Sequence, residues 1–384
     1  MHPPIQPAPA VSHRLATRRG PHRPLSASAL VLALAVAALT LDQTASPAAA
    51  PTPQPRGIAR EVVFSHYSPL FSNAKIVRRL LSPLAQESVR EILARTHKTL
   101  SPYPIDLAKE RFLVYVPSAP PPPSGYALLV FVPPWEQASL PFGWSLQLDR
   151  YGVIFVTAAR AGNAQAVLSR RVPLALAAEA NIVRDYPVDR NRIYTGGFSG
   201  GARVALRIAL GFPDIFHGAL LNAGADPLGV ADPWGGPDTV PSRDLFLRFQ
   251  AWSRLIYVSG ELDTANLTSD ADSVQSMRER CVFDVETHET PDADHELMSP
   301  QAFGRALDRL LSAAPSDPAG LNACRSHLRA ELDGRLARAQ ALISQGRHAA
   351  ARKLLLEIDQ HYGGLAAPRI LQLARDCGCG LAQP

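Results

Sequence analysis

The hydrophobic positions of this 384-residue chain alternate between strand-like and helix-like spacing over its middle part. Residues 127–132 and 153–157 are continuous apolar runs, which are typical of strands buried on both faces of a parallel sheet. Helical spacing follows at residues 143–149 and 172–184. Further strands are expected at 111–117, 193–195, 219–222, 255–259 and 282–286. The alternation predicts an α/β fold, with a mostly parallel sheet and helices on both faces.

A cluster of glycines around one serine follows the strand at 193–195, in the order Gly197-Phe198-Ser199-Gly200-Gly201. A helical pattern then continues from Ala202. A strand that turns into a helix this quickly needs backbone angles that side chains disfavour, and we expect the three glycines to supply them. Ser199 would then lie at the N-terminus of a helix, as in the G-x-S-x-G nucleophile elbow. A plain glycine turn is the alternative.

A serine nucleophile needs a histidine base, which is in turn oriented by a carboxylate. Asp263 follows the strand at 255–259, and His295 follows the strand at 282–286. Both are therefore expected at the same sheet edge as Ser199. The alternatives are Asp226, Glu261 and Asp270 for the acid, and His288 and His217 for the base.

These motifs, in the order serine, acid, histidine over about residues 106–313, resemble those of the α/β-hydrolases. They are most similar to secreted esterases related to polyhydroxybutyrate depolymerases and feruloyl esterases. The resemblance implies a serine hydrolase that cleaves small or polymeric carboxylic esters through an acyl-enzyme. A serine peptidase of the same fold, or an inactive exported scaffold or binding protein, is the alternative.

The oxyanion hole of such an enzyme combines the backbone N–H of the residue after the serine with one from the loop after the strand at 127–132. Here these would be Gly200 and a residue of Pro133-Pro134-Trp135-Glu136. Related esterases usually have His-Gly in this loop, and proline has no N–H to donate. The second donor is then expected to be Trp135 or Glu136, and we assign it to Trp135.

The first 50 residues have the pattern of a secretory signal peptide. An arginine-bearing start precedes an apolar run at 25–41 and small residues at 45–50. The prediction is a periplasmic or secreted protein without a stable membrane span after cleavage, and an uncleaved anchor is the alternative. We predict an N-terminal helical segment at 51–105 and the hydrolase domain at 106–314.

The C-terminal residues 319–384 change to an alanine-, leucine- and arginine-rich composition without strand signals. They predict a small all-helical appendage whose hairpin resembles one tetratricopeptide-type unit, either packed on the hydrolase or available to a protein partner. In an exported chain, Cys281, Cys324, Cys377 and Cys379 predict one or two disulfides that involve this segment. The three possible pairings cannot be separated.

The formal net charge of +5 does not indicate a nucleic-acid partner. Residues 1–50 carry four arginines against one aspartate, so two positive charges remain on the rest of the chain. The sequence contains no H-E-x-x-H motif, phosphate-binding loop or dinucleotide fingerprint, so we expect no metal and no organic cofactor.

Overall fold

The computed structural model of the protein describes residues 55–229, 240–312 and 317–378, together with the backbone of 231–232 and 236–237. The predicted signal peptide at 1–50 lies outside these residues. Within them, no helix is both long and apolar enough to cross a membrane.

Ten strands and eleven α-helices make up the described part of the chain. The strands are β1 (Gly57–Val62), β2 (Phe112–Val116), β3 (Tyr126–Val132), β4 (Val153–Ala158), β5 (Val188–Phe198), β6 (Gly218–Asn222), β7 (Ala231–Asp232), β8 (Gly236–Pro237), β9 (Arg254–Gly260) and β10 (Val285–Thr290). The helices are α1 (Asn73–Leu80), α2 (Pro83–Thr96), α3 (Trp144–Tyr151), α4 (Val172–Asp185), α5 (Gly200–Gly211), α6 (Arg243–Trp252), α7 (Thr264–Glu279), α8 (Pro300–Leu311), α9 (Pro318–Ser344), α10 (His348–Tyr362) and α11 (Arg369–Cys377). Short helical turns occur at Pro69–Phe71, Leu107–Lys109, Val167–Arg171 and Gly363–Ala366.

Eight of the strands form one sheet in the order β1-β2-β4-β3-β5-β6-β9-β10. Strand β2 runs antiparallel to both of its neighbours, and the other pairs are parallel. The predicted α/β architecture is therefore confirmed. Because β1 pairs with β2, the sheet includes a strand from the segment before residue 106.

The continuous apolar run of β3 is buried on both faces of the sheet. Leu128 and Val130 pack in the cluster that contains α4, whereas Leu129 and Phe131 pack in the cluster that contains α3 and α8. All seven residues of β3 are buried, so the strand has no polar face. This central position fixes the edge at which the loops after β3, β5, β9 and β10 emerge.

Three helices begin with a proline whose preceding residue caps the helix. Ser82, Ser299 and Asp317 each accept an N–H from the third helical residue, and proline follows each of them. Proline suits this position because its missing N–H would have no partner within the helix. The helices α2, α8 and α9 therefore start at residues that the sequence itself specifies.

The C-terminal helices α9, α10 and α11 pack against the rest of the described chain. Cys281, just after α7, forms a disulfide with Cys324 of α9, so one of the expected bridges is present. Cys377 is also disulfide-bonded, and Cys379 lies outside the described residues. The Asp359 carboxylate of α10 accepts hydrogen bonds from the Ser82 hydroxyl and, at 3.1 Å, from the Leu84 N–H.

The last strand of the sheet is not where the sequence predicts it. The apolar pattern predicts a strand at 282–286, but β10 spans Val285–Thr290. Val282 is fully buried with its N–H donating to Met277 at the end of α7, so it belongs to the turn before the strand. β10 is an edge strand that alternates between half-buried and exposed positions, and this pattern carries a weaker apolar signal than a central strand does.

The Cys281–Cys324 bridge should stabilise the attachment of the C-terminal helices. The two residues are separated by 43 positions, so the bridge removes considerable freedom from the unfolded chain. We expect the double variant Cys281→Ala/Cys324→Ala to lower the free energy of unfolding by about 2–4 kcal/mol. Urea denaturation of both proteins measures this, and an unchanged midpoint would contradict it.

Candidate active site

Ser199 lies at the sharp turn between β5 and α5. Its backbone has φ 54° and ψ −126°, a conformation that residues other than glycine rarely adopt. The Ser199 N–H donates to the Asn222 carbonyl at the end of β6, and the Ser199 carbonyl accepts from Ala202 in the first turn of α5. The turn is therefore held from both sides in a strained conformation.

The glycines around Ser199 have a different role from the one that the sequence predicts. Gly197, Gly200 and Gly201 do not have a left-handed φ, and the unusual angles fall on Ser199 itself. Their lack of a side chain permits close packing instead. A Cβ on Gly201 would lie 2.0 Å from the Val132 carbonyl oxygen, and one on Gly197 would lie 2.3 Å from the Gly201 backbone. The expectation that these glycines supply special angles is therefore wrong.

The structure brings Ser199, His295 and Asp263 into hydrogen-bonding distance. The His295 Nε2 atom lies 2.9 Å from the Ser199 Oγ atom. On the other side of the ring, Nδ1 lies 2.7 Å from Asp263 Oδ2. The ring stacks on Phe198 with 5.1 Å between the ring centroids. The imidazole thus has one nitrogen at a carboxylate and the other at a hydroxyl.

Two loops deliver these partners to the elbow. Asp263 follows β9 and caps α7, where it is 5 % exposed and accepts the Asn266 N–H at 3.3 Å. His295 follows β10, and the same loop is fixed at Met298, whose N–H donates to the Asn222 side chain at 2.9 Å. Asn222 therefore binds the elbow through its carbonyl and the histidine loop through its amide oxygen.

The alternative acids have other partners, and the alternative bases lie elsewhere in the fold. Asp226 forms an ion pair with Arg203, Glu261 accepts the Asp292 N–H, and Asp270 accepts the Ser259 hydroxyl. His288 lies within β10 beside Glu286, and burial lowers the pKa of His217. The structure does not bring any of these five residues within hydrogen-bonding distance of Ser199 or His295.

The two buried carboxyls near the site have opposite pKa shifts. Burial opposes the ionisation of Asp263, but the hydrogen bonds from His295 and Asn266 outweigh it and hold the pKa of Asp263 below its usual value. Burial raises the pKa of Asp270 to about 7, against the hydrogen bond from Ser259. Near pH 7, Asp263 is therefore ionised, whereas Asp270 is about half protonated.

The two predicted oxyanion donors lie at the same edge. The loop after β3 is fixed through its carbonyls, because Arg171 donates to Pro133, Asn163 donates to Pro134 and Arg160 donates to Glu136. The N–H groups of Gly200 and Trp135 donate to no backbone acceptor among the described residues. That these two N–H groups donate to an oxyanion stays a prediction.

Three polar residues near the site were not indicated by the sequence: Arg203, Asn266 and Asn163. The Asn163 carboxamide packs on Gly200, where a Cβ would lie 2.3 Å from its Oδ1 atom. The spacing of Asn266, three residues after the helix cap Asp263, is the one signal that could have indicated a contact with the acid.

The loop at 224–244, which we would expect to border the site, is only partly described. In its described part, the Gly229 carbonyl accepts a hydrogen bond from Gln360 of α10. Within the described ranges, no group of three or more histidine, cysteine or acidic side chains is arranged to hold a metal ion.

The strand order, the single antiparallel strand β2 and the serine elbow after β5 define an α/β-hydrolase fold. No family model and no curated protein matches the chain. Among solved structures, the chain is similar to a poly(3-hydroxybutyrate) depolymerase from Bordetella parapertussis, at 18 % identity over 56 % of this chain and 88 % of that one, with a TM-score of 0.39.

An S-formylglutathione hydrolase from Staphylococcus aureus is similar at 12 % identity over 53 % of this chain and 93 % of that one, also with a TM-score of 0.39. A structure described as a ferulic acid esterase has 15 % identity over 53 % and 91 %, with a TM-score of 0.38. The chain covers only 33 % of a candidate dipeptidyl aminopeptidase IV from Bacteroides ovatus, at 15 % identity and a TM-score of 0.39. At these values the likeness does not assign a substrate.

The contact between Gly201 and Val132 should make Gly201 intolerant of any side chain. A Gly201→Ala variant forces backbone atoms apart at the elbow, so we expect it to lower the free energy of unfolding by about 2 kcal/mol or more. The matched control is Gly334→Ala, because Gly334 is exposed within α9 and has nothing within 4 Å of the added atom. We expect this control to raise the free energy of unfolding by about 0.5–1 kcal/mol. Equal midpoints of urea unfolding for both variants would contradict the role of the contact.

The raised pKa of Asp270 predicts a pH dependence of stability. Its carboxyl holds a proton in the folded state up to a pH of about 7, whereas in the unfolded chain it ionises near 3.8. The stability that this proton provides is complete below pH 3.8 and is lost as the pH rises through about 7.

We therefore expect the Asp270→Asn variant to keep more of its thermal stability than the wild type as the pH rises from about 4 to about 7. Melting temperatures across this range measure the effect, with Asp272→Asn, exposed on the same helix, as control. Parallel curves for wild type and Asp270→Asn would contradict it.

Proposed function

We propose that this protein is a serine hydrolase that cleaves carboxylic esters, with Ser199 as nucleophile, His295 as base and Asp263 as the orienting acid. The observation that carries the proposal is the continuous chain of short contacts from Asp263 through His295 to Ser199. Such a carboxylate fixes both the tautomer and the orientation of the histidine ring. The Nε2 atom is then free to accept a proton.

The reaction proceeds in two acyl-transfer steps. His295 Nε2 accepts the proton of Ser199 Oγ while Oγ forms a bond to the ester carbonyl carbon. The carbonyl oxygen takes the negative charge, which the N–H groups of Gly200 and Trp135 and the N-terminus of α5 stabilise. The intermediate collapses by breaking the bond to the alcohol oxygen, which receives the proton from His295. Water then repeats the sequence on the acyl-enzyme and releases the acid.

We further propose that the chain is exported to the periplasm or the medium after removal of residues 1–50. The Cys281–Cys324 disulfide supports this, because such bridges persist in oxidising compartments. We also propose that the chain is divided into a hydrolase domain at 106–314 and a helical appendage at 319–384. The contacts of α9 and α10 with the rest of the chain favour a stabilising role for the appendage.

Removing any of the three proposed residues should abolish turnover while the fold remains. We expect Ser199→Ala and His295→Ala to lower kcat for nitrophenyl esters by about 10³-fold or more, because these two residues carry the proton transfer. We expect a similar factor for Asp263→Asn, because the amide would no longer hold His295 in the tautomer that leaves Nε2 unprotonated. The measurement is ester hydrolysis across acyl-chain lengths, with peptide amides assayed alongside.

The control variants are His288→Ala and Asp292→Asn, which leave the chain of contacts intact. A fluorophosphonate probe should label the wild type at Ser199 and leave Ser199→Ala unlabelled. Folded wild-type protein that is neither labelled nor active would overturn the proposal and favour a non-enzymatic role. Faster turnover of amides than of esters would make the protein a peptidase.

A further inference from the structure

A second line of polar contacts lies behind Asp263 and joins it to the elbow helix α5. It runs from Asp263 to Asn266, then to Arg203, and ends at Asp226. We propose that Asn266 and Arg203 are positioning residues: Arg203 orients the Asn266 amide, which holds the Asp263 carboxylate against His295. This inference rests on the proposed function of the three residues above.

Asn266 contacts both oxygens of the proposed acid. Its Nδ2 atom lies 2.9 Å from Asp263 Oδ1 and 2.8 Å from Oδ2, and its backbone N–H donates to Oδ1 at 3.3 Å. The same nitrogen lies 3.0 Å from His295 Nδ1, a close contact and not a hydrogen bond when Nδ1 carries its proton. Since a carboxylate only accepts, the Asn266 amide must present its NH2 group to Asp263. The proton between His295 Nδ1 and Asp263 then belongs to the imidazole, because the carboxylate is held ionised.

The orientation of the Asn266 amide is set from its other end. The Arg203 Nη2 atom lies 3.4 Å from Asn266 Oδ1. A guanidinium has only donors, so the atom facing it must be the amide oxygen, and the NH2 group is directed to Asp263. Without Arg203, a flipped amide would place its oxygen against the carboxylate, and the two acceptors would repel each other.

Arg203 is itself fixed at two points. It lies in the first turn of α5, where its N–H is 3.4 Å from the Ser199 carbonyl, and its Nε donates to Asp226 Oδ1 at 3.0 Å. Gly224 makes room for it, since a Cβ there would lie 2.6 Å from Arg203 Nη1. Asp226, an alternative acid on sequence grounds, thus anchors the arginine that orients the amide. Arg203 thus links the elbow helix α5 to Asn266 beside the acid and to Asp226.

A purely structural role for Asn266 would predict a loss of stability without a change in chemistry. The positioning role predicts a change in kcat and in pH dependence with substrate binding preserved. For Asn266→Ala we expect kcat to fall about 10- to 100-fold with KM within about threefold of wild type, because misplacement of one reacting group has an effect of this size. Gln275→Ala, exposed on the same helix, should match the wild type.

The acidic limb of the pH–rate profile gives a second readout. The Asn266 hydrogen bond is among the causes that lower the pKa of Asp263, so its removal raises that pKa. Since the proposed reaction needs Asp263 as a carboxylate, the ionisation of Asp263 contributes to the acidic limb. We expect the acidic limb of kcat/KM to move to higher pH in Asn266→Ala and to stay in place in Gln275→Ala.

Arg203 is tested with Arg203→Met and Arg203→Lys. The methionine should lower kcat by a similar factor, and the lysine, which keeps the charge and a donor, should recover part of it. In the double variant Asn266→Ala/Arg203→Met, we expect no further loss beyond Asn266→Ala, because both act through one amide. Losses that multiply in the double variant, or a wild-type kcat and acidic limb in Asn266→Ala, would overturn the inference.

A readout without turnover separates this inference from the proposed function. In the Ser199→Ala protein, the proton on His295 Nδ1 should give a low-field NMR resonance, because it lies in a short hydrogen bond to Asp263. Adding Asn266→Ala should shift or broaden that resonance, and adding Gln275→Ala should leave it unchanged. If the wild type shows no ester turnover but the resonance depends on Asn266, the proposed function fails and the positioning contact stands. A resonance insensitive to Asn266 would refute the contact itself.

Discussion

The close approach of the Gly201 backbone to the carbonyl of Val132 is the constraint on which the site depends. It lets α5 begin directly against the central strand β3, so the chain has no room for a gradual turn after β5. The conformational strain of that turn falls on Ser199, whose φ is 54°. Such strain persists only where the surroundings hold the residue in place, and here the Asn222 carbonyl and the first turn of α5 both do so.

The remaining geometry follows from the parallel sheet. Strands β5, β6 and β9 run side by side, and their carboxyl ends face the same edge. Asn222, at the end of β6, lies between the elbow and the loop that carries His295, and its side chain also donates to the Val258 carbonyl of β9. One buried amide therefore fixes the relative position of three strand ends. Ser199, His295 and Asp263 are far apart in sequence. They meet because the strand order brings the loops that carry them to the same edge of the sheet.

The central part of the fold could be predicted from the sequence because the strands there are buried on both faces. Continuous apolar runs identify β3 and β4 without ambiguity. The edge strand β10 could not be placed, since its alternating polar residues are weaker evidence than the buried Val282 that precedes it. The positions of Ser199, Asp263 and His295 follow from loop order. The contact between Arg203 and Asn266 does not, because Arg203 looks like an ordinary polar position on a helix until the starts of α5 and α7 are brought together. Only the spacing of Asn266 after Asp263 indicates its contact with the acid.

The packing of the C-terminal helices also could not be predicted from the sequence. Helical spacing indicates α9, α10 and α11, but it does not say which surface they cover. The structure has Arg325 of α9 donating to Gln250 and to the Leu247 carbonyl of α6, at 2.7 Å each. Arg280, after α7, donates to the His361 carbonyl of α10. Asp263 caps the N-terminus of α7, and the Arg280 contact with α10 lies just beyond the opposite end of that helix. In the described part of the chain, the appendage therefore contacts the segment that follows the helix capped by the proposed acid.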